Sequence, residues 1–253
     1  MNAVITGGGT VAPIDDVRHI ANISTGQFAA AIVEATLARG DSAWHIRTPN
    51  AARPFARDAA FNLDAENLGA EFDRLQTLRE RYRAVRERLH PVPLRVGTLD
   101  EYAATLHATL ASAPIDVVYL AMAASDYIPE AFRGKLSSEP DAITIRCRRA
   151  PKVIRSVRDW APHAYLVGFK LLSGAPTADL IAAAERSNEA NGLDLTVAND
   201  LRTVQAGRHV IHLVRPGQPV ETYGPDGSIA ERLVDRVGTW ASARSRPWSS
   251  SPG

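Results

Sequence analysis

Thr6-Gly7-Gly8-Gly9-Thr10, followed by Pro13-Ile14-Asp15 and then Asn22-Ile23-Ser24-Thr25-Gly26, is where the fold declares itself. Val4 and Ile5 read as the end of a buried strand, which the glycines stop abruptly. Lacking a Cβ, glycine admits positive φ and lets backbone amides approach a ligand closely. Ser24-Thr25-Gly26 then opens a helix predicted over residues 27–38, with Gly40 just past its end. A helix N-terminus beside a glycine turn offers unpaired N–H groups and a partial positive charge, a good seat for phosphate. A G-x-G-x-x-G dinucleotide motif would need its third glycine at Val11 or Ala12, and no Gly-Lys-Ser/Thr follows to make a P-loop. The glycines alone fit an empty strand-to-loop turn equally well, so the rest of the chain must decide.

Outward from this stretch, short apolar runs at 3–6, 43–46, 94–96, 117–122, 165–169 and 195–198 read as strands. Helical patterns at 27–38, 102–110, 152–160 and 177–188 alternate with them. Continuous apolar strands separated by helices indicate a parallel sheet covered on both faces. Residues 209–214 and 220–223 read as a hairpin-like pair around Pro216-Gly217, and 229–240 as a last helix. The predicted fold is therefore α/β: a Rossmann-like, doubly wound, mainly parallel sheet with helices on both faces and a C-terminal antiparallel extension. Residues 1–241 are expected to form a single α/β domain, and 242–253, rich in Ser, Pro and Arg, a disordered tail.

One segment, about 65–90, departs from this rhythm. Leu68, Phe72, Leu75, Leu78, Tyr82, Val85 and Leu89 recur at helical spacing among Arg and Glu, predicting one long amphipathic helix. It suits an outer helix on the sheet, a dimer contact or a moving cap equally. The basic run from Arg146 to Arg158 reads as solvated surface.

At 253 residues, 45% hydrophobic and 23% charged, the composition is that of an ordinary soluble globule. A net charge of +1 gives no global reason to expect nucleic acid or an anionic membrane as partner. The single cysteine, Cys147, falls in a strand expected over 143–147, where a structural role is the expectation. With no intrachain disulfide possible, no signal peptide and no membrane-length apolar run, a cytoplasmic location is expected.

Polar residues punctuate the ends of the predicted strands. Ala121-Met122-Ala123-Ala124-Ser125-Asp126-Tyr127 follows the strand at 117, and Asp126 could bind a base, a ribose or a metal, or simply cap a turn. Arg133-Gly134-Lys135-Leu136-Ser137 is a glycine-bearing loop whose lysine could reach over a phosphoanhydride, or face solvent. Phe169 and Lys170 at another strand end suit a base and a triphosphate, or the edge of the core; Asn199-Asp200 closes the next strand. Together these stretches should converge on one edge of the sheet, around a single nucleotide-sized site.

These residues, in this order, resemble the phosphopantothenoylcysteine synthetase (phosphopantothenate–cysteine ligase) family. The resemblance runs through Ile5-Thr6-Gly7-Gly8-Gly9-Thr10, Pro13-Ile14-Asp15, Val17-Arg18, Asn22 and Ser24-Thr25-Gly26. It continues through Ala123-Ala124-Ser125-Asp126-Tyr127, Gly134-Lys135-Leu136-Ser137, Gly168-Phe169 and Val197-Ala198-Asn199-Asp200. It implies activation of the 4′-phosphopantothenate carboxylate by CTP or ATP with Mg²⁺, then amide formation with cysteine. By the same resemblance Asn22 and Lys135 are catalytic, and Asn22 with Arg18 would hold the substrate. Gly8, Gly9 and Thr10 would receive phosphates, with Ser24, Thr25 and Gly26 beside them. Ala121, Asp126, Phe169 and Lys170 would hold the nucleotide, and Pro151, Lys152, Val153 and Ile154 would line the base. Only the ligase part of a commonly bifunctional flavoprotein is matched, so flavin is not expected. A homodimer is.

The sequence departs from the family in one place. Many bacterial members carry two lysines facing the triphosphate where Ser187 and Asn191 stand here. Lys170, as in the eukaryotic Phe-Lys-Leu pattern associated with ATP, is expected to restore that charge from the same strand edge. Two other classes compete: a short-chain oxidoreductase binding NAD(P), and a non-catalytic nucleotide-binding paralogue. The first lacks its Tyr-x-x-x-Lys pair, because no tyrosine here precedes a lysine by four residues.

Overall fold

Strand β1 (Asn2–Gly7) is apolar and takes parallel partners on both sides, which makes it the axis of the molecule. The computed structural model describes residues 1–244. After β1 come a small hairpin of β2 (Val11–Pro13) and β3 (His19–Ala21), helix α1 (Gln27–Ala38), strand β4 (Ser42–Arg47) and helix α2 (Leu68–Val85). Next are β5 (Leu89–Pro93), α3 (Leu99–Ser112), β6 (Val117–Leu120), the two-stranded β7 (Tyr127–Pro129) and β8 (Cys147–Arg149), and the short α4 (Val157–Trp160). The chain ends through β9 (Tyr165–Leu172), α5 (Thr177–Asn191), β10 (Leu195–Asp200), α6 (Leu201–Gln205), β11 (Ile211–Val214), β12 (Glu221–Tyr223) and α7 (Ile229–Arg244).

The main sheet has the order β12-β11-β10-β9-β6-β1-β4-β5, parallel from β10 to β5, with β11 and β12 antiparallel at one edge. This is the predicted doubly wound architecture with its antiparallel extension. The chain first builds outward from β1 to β4 and β5, then returns to the other side of β1 with β6. The reversal between β1 and β6 is the switch point at which open α/β sheets form their crevice. One face packs Ile5, Ala43, Val167 and Val197 against α1 and α7; the other packs Val4, Ile46, Val118 and Leu166 against α3 and α4. The alternation within each strand follows the two-residue period of the pleat.

Several boundaries differ from the sequence reading. The strand expected at 94–96 lies instead at Leu89–Pro93, where it pairs with β4 at the open edge. Pro91 and Pro93 lack N–H donors and are tolerated there because an edge strand has one unpaired side. The expected helix at 152–160 is a 3₁₀ turn over Val153–Ser156 followed by α4. Of the strand expected over 143–147 only Cys147 falls in a paired strand, and its side chain is exposed rather than structural. Helix α7 runs through Arg244, so the first residues of the expected tail are helical, and 245–253 lie outside the described residues.

Helix α2 occupies the expected amphipathic segment but ends at Val85, and Leu68 and Phe72 are exposed. Its buried residue is Glu71, which accepts from Asn62 N (2.8 Å) and Arg74 Nε (2.7 Å), while Arg74 donates on to Asp58 O and Ala60 O. A polar clasp therefore holds this end of the helix where an apolar stripe was predicted.

Candidate functional site

The ends of β1 and β6 are laced together. Ala123 N donates to Gly8 O (2.8 Å) and Thr10 N to Ala123 O (3.0 Å). Thr10 is fully buried, its hydroxyl 2.9 Å from that of Ser125, so it braces the two loops and has no group left for a phosphate. Asn22 reaches over the same seam: its Nδ2 donates to Ala123 O and Ala124 O, both at 3.0 Å. Two carbonyls can face only the NH₂ end of an amide, so the orientation of Asn22 is fixed and Oδ1 points away as a free acceptor.

Gly8 (φ 95°) and Gly26 (φ 69°) both lie in the left-handed region, and both pack against Ala51. A Cβ on Gly8 would also overlap the Thr48 hydroxyl, so close packing by the protein itself requires this glycine. Gly9 abuts the backbone carbonyl of Asn22. Gly26 is the N-cap of α1 and supplies no side-chain cap, leaving a 12-residue helix open at its N-terminus beside Gly8. Ser24 is half-buried and Thr25 exposed at this opening.

The loop carrying Lys135 is latched to the turn after β2. Asp15, whose side chain is wholly buried, accepts from Val17 N, Arg18 N and Leu136 N, and from Arg18 Nε (2.9 Å) and Nη2 (2.5 Å). The Arg18 guanidinium, aided by these N–H donors against the opposing effect of burial, holds the Asp15 carboxyl far below the usual range. Arg18 Nη2 also donates to Leu136 O (2.9 Å), and Asp16 accepts from Gly134 N (3.1 Å). Arg18 is thus engaged in holding the loop, whereas Lys135 is exposed at its tip.

Asp126 and Lys152, expected separately in the nucleotide site, form an ion pair. With Tyr127 and Arg149 they line a polar cavity of about 220 Å³. Ala121 is half-buried against the core, Pro151 is exposed and Ile154 half-buried, whereas Val153 belongs to the core. Phe169 lies inside β9 rather than at its end; its ring meets Phe28 edge-on at 6.1 Å, and Phe28 meets His209 at 4.7 Å. Burial lowers the pKa of His209, and Asn199 Nδ2 lies 3.3 Å from its Nε2. Burial alone would raise Asp200, but donors at Arg202, Ala175, Gly174 and Thr203 outweigh it and hold the carboxylate ionised. Asp200 is accordingly the N-cap of α6.

The idea that Lys170 replaces charge lost at Ser187 and Asn191 fails on geometry. Those two residues occupy the last turns of α5, which runs back to the start of β10, where Asp194 N bonds Leu166 O. They sit at the opposite end of the sheet from Lys170, and the Asn191 amide folds onto Ser187 O (2.8 Å). Phe28, His209 and Arg149 also lie at this candidate site and were not singled out in the sequence, since nothing in their spacing distinguishes them from core or surface; Ser125 stood in the Ala121–Tyr127 stretch without a role of its own. Asp15 was visible only as part of a motif. Among the described residues no cluster of three or more His, Cys, Asp or Glu could hold a metal ion.

Comparison with known proteins bears on this edge of the sheet. The chain is 27% identical to the coenzyme A biosynthesis bifunctional protein CoaBC of Thermococcus kodakarensis over 92% of its length, but spans only 50% of that protein. It is 30% identical to phosphopantothenate–cysteine ligase 2 of Oryza sativa subsp. japonica, covering 91% of this chain and 77% of that one. The fold superposes on a Cab2 mutant solved with phosphopantothenate-cysteine, with TM-score 0.81 at 21% identity over 96% of this chain and 87% of that one. Residues 1–70 and 84–239 match the family described as DNA/pantothenate metabolism flavoprotein C-terminal domain. The chain, which spans about half the length of the bifunctional relative, belongs to that family.

Proposed function

We propose that this protein joins 4′-phosphopantothenate to cysteine through an acyl-nucleotide, releasing pyrophosphate and then the nucleoside monophosphate. The observation that carries the reading is the seam between β1 and β6, where Asn22, fixed on Ala123 O and Ala124 O, stands beside the open N-terminus of α1. Relatives named phosphopantothenate–cysteine ligase support it.

A carboxylate is a poor electrophile. In the first step its oxygen attacks the α-phosphorus of the nucleotide and the bond to pyrophosphate breaks. In the second, the cysteine nitrogen attacks the acyl carbon, the bond to the nucleotide oxygen breaks and the amine loses a proton to solvent. The N-terminus of α1 would receive phosphate, and Asp126 with Lys152 would hold the nucleotide. Asn22 Oδ1, as an acceptor, would align an N–H of the incoming amine. Lys135 would close over the acyl-nucleotide and stabilise charge developing on the leaving phosphate. Mg²⁺ would arrive bound to the triphosphate, whose charge it offsets, rather than in a protein cage.

CTP and ATP are both compatible with these residues, and flavin has no part in the reaction. A homodimer and a cytoplasmic location belong to the same reading. Exposed apolar Val17, Ile20, Ile23 and Phe132 on or beside the β2–β3 hairpin support the first, and the free Cys147 fits the second. No helix among the described residues is long and apolar enough to cross a membrane. The test is pyrophosphate release with phosphopantothenate, cysteine and each nucleotide in turn; folded protein inactive with both nucleotides would refute the assignment.

A further inference from the structure

Beneath α2 lies a cavity of about 420 Å³, separate from the site described above. Its floor is the open edge of the sheet, with His45 and Arg47 on β4 and Leu89 on β5. Its roof is Leu75, Leu78, Arg79 and Tyr82 on α2, and Arg53 to Ala56 close one end. The roof falls within residues 71–83, which the family match leaves out.

The polar groups that line this cavity are short of protein partners among the described residues. His45 is 2% exposed, lines the cavity, and its Nε2 has no hydrogen-bond partner. Burial, reinforced by the charge of Arg47, pushes its pKa down to about 4, so the ring is neutral near pH 7. Nε2 is turned toward Gly7 of β1, so the ring meets the cavity as a neutral, largely apolar surface. Arg47, Arg53 and Arg79 surround the same space, and none forms an ion pair among the described residues. Neighbouring Arg57 and Arg74, by contrast, each hold a carboxylate, at 2.9 Å and 2.6 Å. Burial and the charge of Arg53 both disfavour protonated Arg47. Phe55, the one non-glycine residue with positive φ among those described, presents its ring to this cavity and meets Tyr82 at 5.7 Å. Strain of that kind is held only where its surroundings enforce it.

We propose that this cavity binds a small organic anion, a carboxylate or phosphate carried on an apolar or aromatic body. The body packs against Phe55, Leu75 and Leu78, the anionic head is met by Arg47 and Arg79, and the neutral His45 ring forms part of the floor. An apolar cavity with a few convergent polar groups is the usual form of a small-molecule site. The assignment does not depend on the ligase reaction.

Calorimetric titration of the full chain with 2-naphthoate, and with uncharged 2-naphthamide of the same shape, tests this. One site for naphthoate is expected, with naphthamide weaker by about tenfold or more, as loss of a charge-assisted contact implies. Arg47→Gln and Arg79→Gln should each weaken naphthoate by a similar factor, Leu78→Trp should abolish binding, and the His45 ring ¹⁵N resonance should move on addition. Arg79 is exposed and needs no repacking, so Arg79→Gln decides the matter should Leu78→Trp not fold. No naphthoate binding, equal affinity for naphthamide, or unchanged binding in Arg79→Gln would overturn the proposal.

Discussion

An asparagine whose NH₂ is already committed to two carbonyl oxygens is no longer interchangeable with aspartate, although the two have the same shape. In Asn22→Asp a carboxylate oxygen would face Ala123 O and Ala124 O, where two hydrogen bonds of about 1 kcal/mol each are lost and repulsion takes their place. Turnover should fall by roughly 10²-fold through misplacement of the reacting groups, with a lower melting temperature. Lys135 acts later in the proposed reaction. For Lys135→Gln, single-turnover quench experiments should find the acyl-nucleotide accumulating because the second step slows more than the first; equal slowing would contradict its role. Asp15 controls where that lysine sits. Its folded pKa is depressed, so the latch contributes stability above the unfolded carboxylate value near 4 and loses it as pH falls toward the folded value. Hydrogen exchange at residues 133–137 should be slow from neutral pH down to that range in the native protein. In Asp15→Asn it should be fast throughout.

Helix α2 illustrates the same linkage within one element. The Arg74 guanidinium and the Asn62 amide lower the Glu71 pKa to about 2, against the opposing effect of burial. The clasp is therefore complete above the ordinary glutamate value and lost as pH falls from about 4.5 toward 2. Glu71→Gln should give proteases access to residues 59–74 at neutral pH, and should remove the acid-induced opening expected of the parent. Elements of this chain differ in how plainly the sequence announces them. Strand β1, helix α1 and the β11–β12 pair are legible because local pattern and tertiary burial agree. Strand β5 is not, since Leu89 continues the helical spacing of Leu75, Leu78, Tyr82 and Val85, while Pro91 and Pro93 argue against a strand. The buried Glu71 was equally hidden: a carboxylate inside is readable only once Arg74 and the Asn62 amide are known to meet it. The motifs that meet at the β1–β6 edge were legible in the sequence, but what each residue of them contacts was not. Thr10, Asp15 and Arg18 hold protein to protein, and only the contacts reveal it.

At the scale of the molecule, the β2–β3 hairpin stands out from the sheet carrying Val17 and Ile20, 62% and 44% exposed, with Phe132 (50%) beside it. If this surface supports the proposed homodimer, light scattering should give twice the chain mass, and Ile20→Asp should halve it without altering the circular dichroism. The strand order has a consequence of its own. Residues 1–113 build β1, β4 and β5, and the residues after them build every strand on the far side of β1. Asn22 with Ala123, Thr10 with Ser125, and Asp15 with Leu136 all cross the line between these portions. The site is thus an interface folded inside a single chain, and neither portion contains it. A protein nicked between Ala113 and Ile115 should behave as a heterodimer, recovering the site only when β1 finds β6 again.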